Sequence, residues 1–189
     1  MKVAISMLRG VNVGGHNCIR MASLRKIYES LGLRDVQTYV QSGNVVFSTK
    51  ARDLAPLAKR IESKIEQSCG FRPNVILRTP SQLRKAIGRN PFATRQGIDP
   101  GKLVITFLAA DPAPPSRVKL LAMNAGPEEL HIEGSDVYVY YPNGMGRAKL
   151  SSALIEKTLE TAGTGRNWNT VTKLLEMADK LESACPRAR

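Results

Sequence analysis

The sequence predicts an α+β protein of two βαββαβ-type halves with antiparallel sheets, closed by a C-terminal helix. Three observations carry this expectation. Short β-branched runs and apolar stripes at helical spacing succeed one another in an order that occurs twice. Each copy holds a hairpin signal, Ser42-Gly43 in the first and Gly134-Ser135 in the second, between two strand-like runs. Between the copies, Asn90-Pro91-Phe92 to Asp99-Pro100-Gly101 concentrates chain breakers. A chain of 189 residues suits one domain or two small ones, and the expected division is 1–98 and 99–189.

Val3–Leu8 is a short apolar run of the kind that forms a buried strand. Met21, Leu24, Ile27, Tyr28 and Leu31 fall at helical spacing, and Gly32 stops them. Val36–Gln41 and Asn44–Ser48 flank Ser42-Gly43 as a two-residue turn. Pairing across it puts Thr38, Val40, Val45 and Phe47 on one face, with Tyr39, Gln41, Asn44 and Val46 on the other. Leu54, Leu57, Ile61 and Ile65 make the next helix, begun by Asp53 and ended near Gly70; Asn74–Leu77 is a fourth strand. Thr79-Pro80-Ser81-Gln82 is a capping box that opens a further helix.

The second half repeats the order as strand Leu103–Leu108, helix Ser116–Met123, strands Leu130–Glu133 and Asp136–Tyr141, and helix Ser152–Ala162. Its fourth strand is weak or missing around Gly163–Asn167. The last helix, Trp168–Leu181, carries Trp168, Val171, Leu174, Leu175, Ala178 and Leu181 on one stripe, so the single tryptophan reads as a core anchor. Asn167 or Asn169 would cap it, and Arg166 is left to face a ligand or an acid.

Charge is distributed unevenly. Lysine and arginine number 28 against 16 acids, a net of +12. Residues 1–95 hold 17 bases and 5 acids, whereas 96–189 hold 11 of each. A one-sided surplus makes a directional field that attracts polyanions, although solvated faces without a ligand would give the same count. No apolar run approaches the roughly 20 residues of a membrane span. Met1–Leu8 is too short for a signal-peptide core and meets Arg9. Cys18, Cys69 and Cys185 form no C-x-x-C pair. The expectation is a reduced, cytoplasmic protein without metal or cofactor.

The βαββαβ unit is the split arrangement of ferredoxin-like folds, in which the first and second strands run parallel with the third between them. The end of the first strand then shares a sheet edge with the hairpin and with the return from the second helix. That edge collects Arg9-Gly10-Val11-Asn12-Val13-Gly14-Gly15-His16, Gln41-Ser42-Gly43-Asn44 and Gly70-Phe71-Arg72. Backbone amides of glycine-rich turns with arginines nearby suit phosphate, making Arg9, Gly10, Asn12, Gly14, Gly15, Gln41, Ser42 and Asn44 candidate ligand-binding residues. Turns that require positive φ would use the same glycines without any ligand. The equivalent edge of the second half holds Asp111, Glu133 and Asp136, which would repel an anion.

Gly10-x-x-x-x-Gly15 has the glycine spacing of a P-loop, but His16-Asn17 stands where Lys-Ser/Thr is required, so a nucleotide-triphosphate loop is excluded. The segment from Tyr141 to Ser151 leaves a strand and opens a helix through Gly144, Gly146 and Lys149. It is a second possible anion cradle or an ordinary turn, and it adds Lys149, with Arg166, to the candidates. His131, Tyr138 and Tyr140 share one face of the second hairpin, yet no RNA-recognition signature accompanies them; burial of the sheet faces against each other or a dimer partner is preferred. His16 and His131 are the only histidines, and no nucleophile elbow, dinucleotide fingerprint or hard-metal cluster is present, so no catalytic residue can be named.

Leu8-Arg9-Gly10-Val11-Asn12-Val13-Gly14-Gly15, Met21-Ala22-x-Leu24-Arg25 and Thr38-Tyr39-Val40-Gln41-Ser42-Gly43-Asn44-Val45-Val46-Phe47 resemble the bacterial domain of unknown function 1697 family. Asn90-Pro91-Phe92, Gly146-Arg147-Ala148-Lys149-Leu150 and Arg166-Asn167-Trp168-Asn169-Thr170-Val171 continue the resemblance over nearly the whole chain. It implies a cytoplasmic protein of two α/β halves and no activity. Members commonly carry a lysine near the place of His16 and a proline near that of Arg20, where this chain departs. The expectation is a protein that binds a polyanion, nucleic acid or a phosphorylated small molecule, through its basic half. A small-molecule enzyme with a site in the cleft between halves and a homodimeric interaction module are the alternatives.

Overall fold

A computed structural model describes residues 1–123 and 126–184. The first unit runs β1 (Lys2–Leu8), α1 (Met21–Ser30), β2 (Arg34–Tyr39), β3 (Asn44–Thr49), α2 (Leu54–Cys69), β4 (Val75–Arg78) and α3 (Pro80–Gly88). Its sheet has the order β2-β3-β1-β4, all antiparallel, which leaves β1 parallel to β2. The second runs β5 (Leu103–Leu108), α4 (Pro114–Ala122), β6 (Glu129–Glu133), β7 (Asp136–Tyr140), α5 (Ser152–Leu159) and β8 (Gly163–Asn167), with the matching order β6-β7-β5-β8. The closing helix is α6 (Trp168–Ala184). The chain is therefore two βαββαβ repeats of mixed α+β class. Contacts divide it into a unit of Met1–Arg84 with Lys173–Arg189 and a unit of Lys85–Thr172.

Alternation decides what each sheet buries. In the first unit Ala4, Leu8, Val45, Phe47, Val75 and Leu77 face α1 and α2, whose Leu24, Ile27, Tyr28, Leu57, Ile61 and Ile65 complete one core. The Tyr28 hydroxyl meets the Ser6 hydroxyl at 2.7 Å inside it, and burial drives the phenol pKa far above its ordinary value. In the second unit Val104, Leu108, Val137 and Val139 pack with Leu120, Ile155 and Leu159. The opposite faces are closed too: Ile5, Met7, Val46, Ile76, Ile105, Phe107 and Tyr138 are all buried. Tyr138 donates its hydroxyl to the Ala86 carbonyl at 2.8 Å, so the central ring of a base-stacking platform is not presented to solvent.

Thr79, Gln82, Asp53 and Asn167 cap as expected, and Ser151 adds a further cap. Thr79 and Gln82 exchange side-chain and backbone hydrogen bonds at 2.8 and 3.2 Å, closing the capping box of α3. Asp53 caps α2, Ser151 caps α5, and Asn167 accepts from the Thr170 amide at the start of α6.

Three expectations are corrected. The first hairpin does not turn on two residues: Tyr39 pairs with Asn44 and Thr38 with Val45, so residues 40–43 form the connection. The register shift is two residues, which keeps the paired side chains on their expected faces, while Val40 and Gln41 leave the strand and are exposed. The cause is backbone: Val40 sits at φ 48 and Gly43 at φ 72. Secondly, Gly163–Asn167 is a full strand, and α5 stops at Leu159 because Glu160 turns left-handed at φ 53. Weak β-propensity is overridden by close approach to β5: a Cβ on Gly163 would lie 2.9 Å from Thr106 Cγ2, and one on Gly165 3.2 Å from Val104 Cγ1. Thirdly, Trp168 is only half-buried, the inward stripe of α6 being Val171, Leu174, Ala178 and Leu181.

Cys18 and Cys69 are free thiols, and Cys185 lies outside the described residues. Among the described residues, no helix is long and apolar enough to cross a membrane.

Candidate functional site

The sheet edge anticipated for the first unit is assembled by backbone pairing. The Leu8 amide donates to the Gly43 carbonyl and the Arg9 amide to the Asn74 carbonyl, each at 2.9 Å, so the end of β1 lies between the hairpin and the segment before β4. The second unit repeats this construction with Leu108 to Ser135 and Ala109 to Ala162, both at 2.8 Å. What differs is the side chains. The first edge carries Arg9 and Arg20, whereas the second carries Asp111, paired with Arg117, and Glu133, paired with Arg89 at 3.5 Å.

Asn12 organises the loop between β1 and α1. Its Nδ2 donates to the Gln41 carbonyl at 2.7 Å and to the Ile19 carbonyl at 3.0 Å, while its Oδ1 accepts from the Ile19 amide at 2.8 Å. One side chain thus ties the hairpin, the loop and the entry to α1 together. Asn17 donates to the Gly10 carbonyl at 3.0 Å, and the Cys18 thiol donates to the Gly15 carbonyl at 3.2 Å. Val13 and His16 bridge across Gly14-Gly15, whose φ values are 59 and 78. Both glycines are exposed, and among the described residues their amides have no acceptor within the chain.

The hairpin side is similarly fixed. Asn44 is buried and donates to the Ser42 hydroxyl at 2.8 Å and the Tyr39 carbonyl at 3.2 Å. A Cβ on Gly43 would fall 2.5 Å from Val11 Cγ2 and 2.8 Å from Leu8 Cβ, so only glycine lets the hairpin approach the loop. Asn12 and Asn44 are therefore braces within the edge. Arg9, Gly10, Gly14, Gly15 and Gln41 form its exposed surface, with Ser42 half-buried.

Arg72, expected at this edge, and Arg25 on α1 are both matched by acids. Arg72 pairs with Glu66 at 3.0 Å and Glu62 at 3.4 Å; Arg25 pairs with Glu29 at 2.8 Å. Arg20 is exposed and stands at the N-cap of α1. That terminus has no side-chain cap and no acid in its first turn, so its leading amides and dipole remain directed outward beside the loop. The sequence carries the signal, since Arg20-Met21-Ala22-Ser23 offers neither an N-cap residue nor a carboxylate.

The remaining candidates belong to the second unit. Lys149 is exposed, and its amide donates to Glu128 Oε1 at 3.2 Å. Arg166 is buried on β8, donating to the Thr164 hydroxyl at 2.7 Å and the Gly165 carbonyl at 2.8 Å, and burial pushes its pKa down to about 10. The serine at the start of α5 spends its oxygen on the Leu154 amide. Among the described residues, no group of three or more His, Cys, Asp or Glu is arranged to hold a metal.

The sequence pattern of a family described as "Protein of unknown function (DUF1697)" matches residues 1–138. Among solved structures, the chain is similar to a conserved bacterial protein, SP0830, from Streptococcus pneumoniae. That likeness has a TM-score of 0.70 at 19% identity and covers 95% of this chain and 99% of that one. At that identity the likeness is one of fold. None of the curated proteins matches the chain.

Proposed function

The chain belongs to this DUF1697 family of proteins of unknown function, and from that premise we propose that it binds a polyanion, nucleic acid or a phosphorylated molecule, at the β1–α1 edge of its basic unit. One observation carries the reading: the exposed, acceptor-free amides of Gly14 and Gly15 lie in a loop flanked by Arg9 and Arg20 that leads into the uncapped amino terminus of α1. Amides, dipole and guanidinium groups each favour an oxyanion, and an αL-rich loop presents them together. Charge supports it at longer range. Met1–Arg84 with Lys173–Arg189 holds 18 bases against 8 acids, and Lys85–Thr172 holds 10 against 8. The field that gathers a polymeric anion thus originates in the unit that bears the loop.

The test is fluorescence anisotropy with a labelled single-stranded oligonucleotide across a salt series. Arg9→Ala with Arg20→Ala is expected to weaken binding about tenfold or more at low salt and to flatten the slope of log affinity against log salt by about one per phosphate contact removed. Lys26→Ala with Arg60→Ala, equally exposed and equally charged but on helices α1 and α2, is the control and should stay within about twofold. Equal losses in the two double variants reject the site.

A further inference from the structure

We infer that the first unit holds a second anion site, at the opposite end of its sheet from the glycine-rich loop, that takes the phosphate groups of a small phosphorylated molecule. It is an open groove of about 400 Å³ lined by Met1, Lys2, Thr49, Lys50, Ala51 and Arg52. Strand register fixes its position. Lys2 pairs with Thr49, so the groove lies where β1 starts and β3 ends, whereas Met7 opposite Asn44 marks the loop end. At roughly 3.3 Å per residue, the two ends of β1 are about 20 Å apart.

Three of the lining side chains are cationic and none is anionic. Lys2 Nζ donates to the Arg52 carbonyl at 2.6 Å, so two basic segments are held together by a hydrogen bond and not by a counter-charge. Elsewhere in the unit some cations meet carboxylates, as Arg25 meets Glu29, Lys59 and Arg72 meet Glu62, Arg84 meets Asp179 and Glu182, and Lys173 and Lys180 meet Glu176, whereas among the described residues Lys26, Arg34, Arg60 and Lys64 form no ion pair. Among the described residues, no carboxylate lies within ion-pair distance of Lys2, Lys50 or Arg52. Asp53, the adjacent acid, gives its Oδ1 to the Ala55 amide as the cap of α2.

Like charges brought together repel, and an anion seated among them turns that repulsion into attraction. The Thr49 hydroxyl already accepts from the Ala51 amide at 3.1 Å, which leaves its own proton to donate to a phosphate oxygen. The groove's volume is that of a small-molecule site, roughly 300–1,000 Å³. Three cationic residues along one groove suit a doubly charged phosphate better than a single carboxylate.

The probe is inorganic pyrophosphate, titrated at constant ionic strength into the isotope-labelled full chain while backbone amide shifts are followed. Saturable shifts are expected at Lys2 and at Thr49 to Arg52, and Lys50→Glu with Arg52→Glu should weaken binding at least about tenfold. Lys26→Glu with Arg60→Glu makes the same change in net charge and should leave binding unaltered. The Arg9→Ala/Arg20→Ala variant should also bind pyrophosphate normally here, so this site and the loop stand or fall separately. Non-saturating shifts, or equal weakening by both charge-reversed variants, overturn the site. If a single-stranded oligonucleotide moves the same amides at far lower concentration than pyrophosphate, the occupant is nucleic acid and the small-molecule assignment is overturned.

Discussion

Asn12 combines a left-handed backbone, φ 55, with three side-chain hydrogen bonds that reach two other segments. Asparagine is the side chain that tolerates this conformation and still supplies both a donor and an acceptor. Asn12→Ala removes the bonds and adds strain, and chemical denaturation should show a loss of about 2–3 kcal/mol. Asn12→Gly removes the bonds but relieves the backbone, so its loss should be smaller by about 1 kcal/mol. Equal losses would mean that backbone conformation contributes nothing. Arg166, expected to face a ligand or an acid, is buried on β8 and bonded to Thr164 and Gly165.

Among the elements, α6 offers a titration. Glu176 accepts from Lys180 at 2.7 Å and Lys173 at 2.9 Å, and these bonds hold its carboxyl at about 2. The folded value lies below that of an unfolded glutamate, so the contribution is fully present above about pH 4.3 and fades as pH falls toward 2. Because the pairs are exposed, the effect is small: Glu176→Gln should lower the thermal midpoint by no more than about 2 °C near neutrality. Scanning calorimetry at about pH 2 should find the variant and the parent indistinguishable. A difference that persists there would assign the effect to helix propensity. The elements also show where sequence is legible. Among the described residues, six of the eight strands follow directly from short apolar or β-branched runs and from the hairpin dipeptides. The extent of β2 does not, because nothing about a β-branched Val40 announces φ 48, and β8 does not, because Gly-Thr-Gly is held extended by β5 and by nothing local.

For the whole molecule, duplicated topology with unequal charge is the organising fact. Both units bring the end of their first strand against a hairpin through matching amide–carbonyl bonds, and side chains distinguish the two edges, the first carrying Arg9 and Arg20 and the second Asp111 and Glu133 paired with arginines. That juxtaposition was readable from strand order. The neutralisation of Arg72 by Glu62 and Glu66 was not, since it requires knowing which face of α2 turns toward β4. The groove at Lys2, Lys50 and Arg52 was hidden for a related reason: its members are ordinary strand-end lysines and an arginine until the β1–β3 register brings them together.

The proposal that an anion docks on the β1–α1 loop is tested most directly by the amide resonances of Gly14 and Gly15 during titration with the oligonucleotide. Saturable shifts at these two glycines, and at Ala22 and Ser23 in the first turn of α1, are the expected result, and they should collapse on adding salt. Full binding that leaves both glycine amides unmoved would contradict it.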